Sequence, residues 1–116
     1  MEAKTLKLTV GFTGNEFIDN PTHVNLEVDE DLLKSIKKAK EFVGNGIEFP
    51  IVEVNCDAEA ISENGDDVSD FGRYGGIHVS NSSIFYKDFS KHDSSATIET
   101  EDFSKEIDEL LLEANI

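Results

Sequence analysis

The sequence holds one cysteine, Cys56, in 116 residues. No intrachain disulfide can form, so a disulfide framework is excluded and a reducing compartment fits best. No apolar run approaches the roughly 18 residues that a membrane-crossing helix needs. The N-terminal MEAKTLKLTVGF also lacks the apolar core of a secretory signal. The expectation is a cytoplasmic protein with no membrane span. Basic residues are scarce: ten Lys and Arg stand against 25 Asp and Glu, a formal net charge of −15. Nucleic acid and anionic lipid repel such a chain, which argues against direct binding to either.

What is present suffices for a core. The length fits one domain, residues 1–116, burying roughly two thirds of its unfolded surface. A hydrophobic content of 38% with eight phenylalanines separates it from disordered chains. No internal repeat or interdomain linker interrupts it.

The negative charge is uneven. Met1–Gly46 carries a net of −2 and Arg73–Ala96 a net of +1. Ile47–Gly72 carries −8 without one basic residue, and Thr97–Ile116 carries −6. Solubility alone accounts for a high charge, but it does not require two separate blocks.

Hydrophobic periodicity outlines the elements. Leu6, Leu8, Val10 and Phe12 alternate with polar residues, as do Val24, Leu26 and Val28; each set predicts a half-buried strand. Leu32, Ile36, Ala39 and Val43 form a helical stripe widened by Leu33 and Phe42, spanning about 30–43. Asp29 or Asp31 caps its start, its lysines lie toward the C-terminal end, and Gly44 stands where a left-handed cap residue belongs. IEFPIVEVNC reads as a third strand with a parity change beside Pro50. IHVSNSSIFYKDF reads as a strand pair or one long strand, KDFSKHDSS as a loop, and ATIET as a short last strand. A second helix, about 101–115, is capped by Thr100 or Asp102 and striped by Phe103, Ile107, Leu110 and Ala114. The order β-β-α-β-β-(β)-α predicts an α+β domain, with a mainly antiparallel sheet of four to six strands and two helices. Residues 57–76 are left as a long acidic loop, with one helical turn at AEAISE.

Catalytic and cofactor patterns fail on spacing. His23, His78 and His92 have no helical pairing and no cysteine neighbours, so no zinc pattern exists. With Gly65 at the sixth position of a calcium loop, Ala60 falls at the first, where it cannot ligate. No serine has a nucleophile-elbow context, and GRYGG leads into a strand where a phosphate cradle needs a helix. The expectation is a non-enzyme with no metal site and no cofactor.

Binding is the reading that remains. The charge pattern fits a small module that masks a basic protein surface, that of a nucleic-acid-binding protein or nuclease, as a DNA-mimic-like anti-defence or immunity protein does. The candidate contacts are Asp57, Glu59, Glu63, Asp66, Asp67 and Asp70, with Phe71 and Tyr74 as aromatic anchors and Arg73 as counter-ion or specificity contact. Glu106, Asp108, Glu109 and Glu113 form a second acidic face on the last helix. The alternatives are an accessory subunit of an oligomer, and a calcium or small-ligand domain using the acidic loop. A homo-oligomer is compatible with the composition.

Overall fold

The computed structural model describes residues 2–13, 21–44, 51–62, 65, 75–89 and 97–116. The elements in chain order are β1 (Lys4–Thr13), β2 (Pro21–Val28), α1 (Glu30–Gly44), β3 (Ile51–Val54), β4 (Asp57–Ser62), β5 (Gly76–Ser80), β6 (Ile84–Phe89), β7 (Thr97–Thr100) and α2 (Ser104–Glu113). All strand pairs are antiparallel, in one seven-stranded sheet of order β3-β5-β6-β7-β1-β2-β4. The fold is α+β with two helices, as the periodicity predicts, and with one strand more than expected.

The additional strand is β4, which replaces the first part of the expected acidic loop and the helical turn within it. Its alanines read as helix formers in isolation. Paired with β2, they turn inward opposite Leu26 and Val24, while Asp57 and Glu59 turn outward. Cross-strand packing overrides a weak local preference. The third strand accordingly ends at Val54, short of Cys56.

The two edge strands of this order, β3 and β4, are consecutive in the chain and separated by only Asn55 and Cys56. Three Cα steps reach about 11 Å at most, whereas the edges of a flat seven-stranded sheet lie about 29 Å apart. The sheet must therefore curl until its ends meet. β1 makes the bend on the other side: Lys4–Thr9 pairs with β2, Val10–Thr13 pairs with β7, and the register shifts between Val10 and Phe12.

The core fills the inside of this curl. Leu8, Val24 and Leu26 from one half face Ile77, Val79, Ile84 and Ile98 from the other, all buried. α1 closes it against β3 and β5 with Leu32, Leu33, Ile36, Ala39 and Val43, and α2 contributes Ile107 and Leu110. Asp29 caps α1, its Oδ1 accepting the Leu32 N–H at 2.8 Å. Gly44 does not take up the left-handed conformation expected of it; it is the last helical residue, and Gly65 is the positive-φ glycine among the described residues.

Asp102 starts α2 from just outside it. Its Oδ1 accepts the Ser104 N–H at 2.9 Å, the Ser104 hydroxyl, and the Ile84 N–H of β6 at 2.9 Å. One carboxylate thus anchors the helix to the sheet. Partial burial pushes its pKa up, but the donors from Ile84 and Ser104 outweigh this and hold it below the usual 3.8.

Candidate functional site

The outer face of the β1-β2-β4 half is built by register. Thr5, Glu27 and Asp57 form one row across the three strands, and Lys7, Asn25 and Glu59 form the next. The chain then leaves β2 through Asp29 and enters α1 through Asp31, so the acidic row continues around the corner onto the helix. Glu27, Asp29, Asp31, Asp57 and Glu59 are all exposed, and none forms an ion pair among the described residues. In the second row Asn25 stands between Lys7 and Glu59, so the lysine and the carboxylate are one strand removed from direct pairing.

Two open depressions meet here, sharing Glu27, Cys56 and Asp57. One, of about 430 Å³, spreads over Asn25 and Glu59. The other, of about 370 Å³, runs past Asn55 to Asp29, Asp31 and Ser35. Their walls offer carboxylates and amides, which accept hydrogen bonds from ammonium and guanidinium groups. Cys56 at the junction supplies no nucleophile. Burial, followed by the charges of Asp57 and Asp88, pushes its thiol up to about 12, so it stays protonated at neutral pH. Among the described residues, no group of three or more His, Cys, Asp or Glu could hold a metal ion.

The residues expected from the sequence divide three ways. Asp57 and Glu59 lie on β4 within the acidic face. Glu63, Asp66, Asp67, Asp70, Phe71, Arg73 and Tyr74 lie outside the described residues. On α2, Glu106, Asp108, Glu109 and Glu113 are exposed, but Asp108 is bound by Lys40 of α1 at 2.6 Å and Glu113 by Lys4 of β1. Half of that second face is thus neutralised within the chain, and its charges also tie α2 to α1 and to the sheet.

Glu27, Asp29 and Asp31 join the face although the loop-centred reading omits them. The signal for Glu27 is its parity: it alternates outward between Leu26 and Val28 on a strand. Asp29 and Asp31 are legible as helix-start residues, a role that does not reveal which strand end they adjoin.

A second polar cluster lies inside. Asp88 is fully buried and accepts the Tyr86 hydroxyl at 2.9 Å. Tyr86 also donates its backbone N–H to Thr100 Oγ1 at 2.9 Å. Burial, reinforced by Asp88, pushes the Tyr86 phenol up from its ordinary value. Gly75 packs so closely that a Cβ there would lie 2.6 Å from Asp88 Cγ and 2.7 Å from Tyr86 Oη. The sequence assigns Asp88 to a polar loop, yet its two-residue step from Tyr86 places it on the core face of β6. On the opposite face His78 stacks on Phe85, ring centroids 5.3 Å apart, across the row from Glu53.

Comparisons with protein-family models, with curated proteins and with solved structures give no match to this chain.

Proposed function

We propose that this chain is a non-enzymatic, acidic protein-binding module whose partner presents a basic surface of the kind that binds nucleic acid. One observation carries the reading: Glu27 and Asp57 are cross-strand neighbours of like charge, exposed and without a cation bound to either among the described residues. Directly opposed like charges on adjacent strands are destabilising. Folding gains nothing from them, whereas an incoming row of Arg or Lys does. Asp29, Asp31 and Glu59 extend the row on both sides, over a curved surface that a lysine- or arginine-rich protein face can follow. The acceptors are set by strand register and by a helix start, so they are arranged before the partner arrives, and long-range attraction speeds the encounter. Masking a nuclease or another nucleic-acid-binding protein is the role this arrangement suits. The residues 63–74 bring further carboxylates to the end of β4 in sequence.

The test is binding to a panel of basic nucleic-acid-binding proteins, measured across a salt series beside a neutral control. The reading expects association that weakens steeply with salt, competition by duplex DNA for the partner, and at least a tenfold loss in a Glu27→Gln, Asp57→Asn, Glu59→Gln triple variant. Absence of binding at low salt, or binding indifferent to the triple variant, overturns it.

A further inference from the structure

We propose that the groove between α1 and β3 docks the outer face of α2 from a second copy of this chain. The groove holds about 330 Å³ and is floored by Ala39, Val52 and Val54, with Phe42 and Lys38 along its α1 side. Phe42 remains 50% exposed, and Ile51, at the start of β3, remains 44% exposed. β3 is an edge strand, paired with β5 alone among the described residues. The groove between helix and edge strand leaves apolar surface in water, whose removal by a partner is favourable.

Charge selects the apolar group that fits. Lys38 and Phe42 are i,i+4 neighbours on α1 and present a cation beside a ring. Lys34 is engaged by Glu30 and Lys40 by Asp108, while Lys38 forms no ion pair among the described residues. The complement is an apolar side chain with a carboxylate one turn away. α2 carries that pair: Leu112 is 80% exposed, and Glu109, three residues earlier on the same helical surface, has no ion-pair partner among the described residues. Leu112 of one copy seats against Phe42 and Val52 of the other, with Glu109 facing Lys38. The surface involved is small, so the association is weak, and two copies at −15 each repel at long range. Moderate salt screens that repulsion and strengthens self-association. The same salt weakens attraction to a basic partner, so this inference and the proposed function respond in opposite directions.

Sedimentation velocity from micromolar to submillimolar protein, at low and moderate salt, tests the inference. The expected result is a mass that rises from the 12.8 kDa monomer with concentration, more readily at moderate salt. Leu112→Ser, at an exposed site, leaves the circular dichroism spectrum unchanged and returns the chain to monomer. Lys38→Glu weakens association at least tenfold, and adding Glu109→Lys to the same chain restores it. A wild type that stays monomeric throughout overturns the proposal, whatever else covers the groove. So does association that persists in Leu112→Ser, or a Lys38→Glu loss that Glu109→Lys does not repair.

Discussion

Glu27 and Asp57 stand directly opposite one another on β2 and β4, both on the outer face and both exposed. Like charges in this position oppose strand pairing, which sets stability and recognition against each other at a single row. Replacing Glu27 with Gln removes the repulsion and keeps the side-chain volume. The variant is expected to melt no lower than wild type at low salt, while its association with a basic protein slows. Thermal melting and stopped-flow binding on the same preparation check both halves.

Gly75 fills a space that no side chain shares. Gly75→Ala drives a methyl to 2.6 Å from Asp88 Cγ, in a site where Asp88 is fully buried and hydrogen-bonded by Tyr86. Overpacking of this kind costs about 1–3 kcal/mol. Gly44→Ala is the control: a Cβ there meets nothing within 4 Å, and the residue is helical. It is expected to stabilise by up to about 1 kcal/mol. Urea unfolding of the two variants separates the effects.

Alkaline pH acts on the core through Cys56. Its thiol is raised from 9.0 to about 12 in the folded chain, so between those values the folded state holds a proton that the unfolded state has lost. The stabilisation is fully present below pH 9 and is lost as pH rises toward 12. Tyr86, also raised by burial, adds to the loss above about pH 10, the ordinary value of the phenol. Cys56→Ala is expected to flatten the lower part of this decline. In the native wild type, the thiol reacts with iodoacetamide at mildly alkaline pH far more slowly than in urea.

Asp102 is expected to matter on the acid side. Its donors hold the carboxyl below 3.8, so its contribution is present above that value and falls away as pH drops through the depressed one. Asp102→Ala leaves the partly buried Ile84 amide and the exposed Ser104 amide without their acceptor, at the cost of about 0.5–2 kcal/mol usual for loss of a helix-starting side chain. Because the carboxylate joins α2 to β6, amide exchange in the first turn of α2 is expected to accelerate in the variant along with the loss of global stability.

Much of the fold is legible in the sequence because burial on one face imposes a period. Leu6, Leu8 and Val10 mark β1, Val24, Leu26 and Val28 mark β2, and the stripe from Leu32 to Val43 marks α1; all three are found where the pattern places them. β4 is missed because its inward residues, Ala58 and Ala60, are small and make a faint alternation against Asp57 and Glu59. Asp88 is missed because a charged residue on a core face contradicts the pattern that reveals such faces.

By itself the sequence determines the charge of −15, its concentration in two blocks, the absence of an intrachain disulfide and the succession of strands and helices apart from β4. Those properties depend on composition and on neighbours within one or two turns. Only the tertiary structure decides which carboxylates act together. Register between β2 and β4 sets Glu27 beside Asp57, two residues thirty positions apart, at the corner where the chain runs from β2 through Asp29 into α1. The fold also separates the acidic groups by chemistry: Lys4 and Lys40 engage Glu113 and Asp108 on α2, while the carboxylates of the β2–β4 face have no ion-pair partner among the described residues. Long-range pairing determines which charges meet, and no local pattern encodes it.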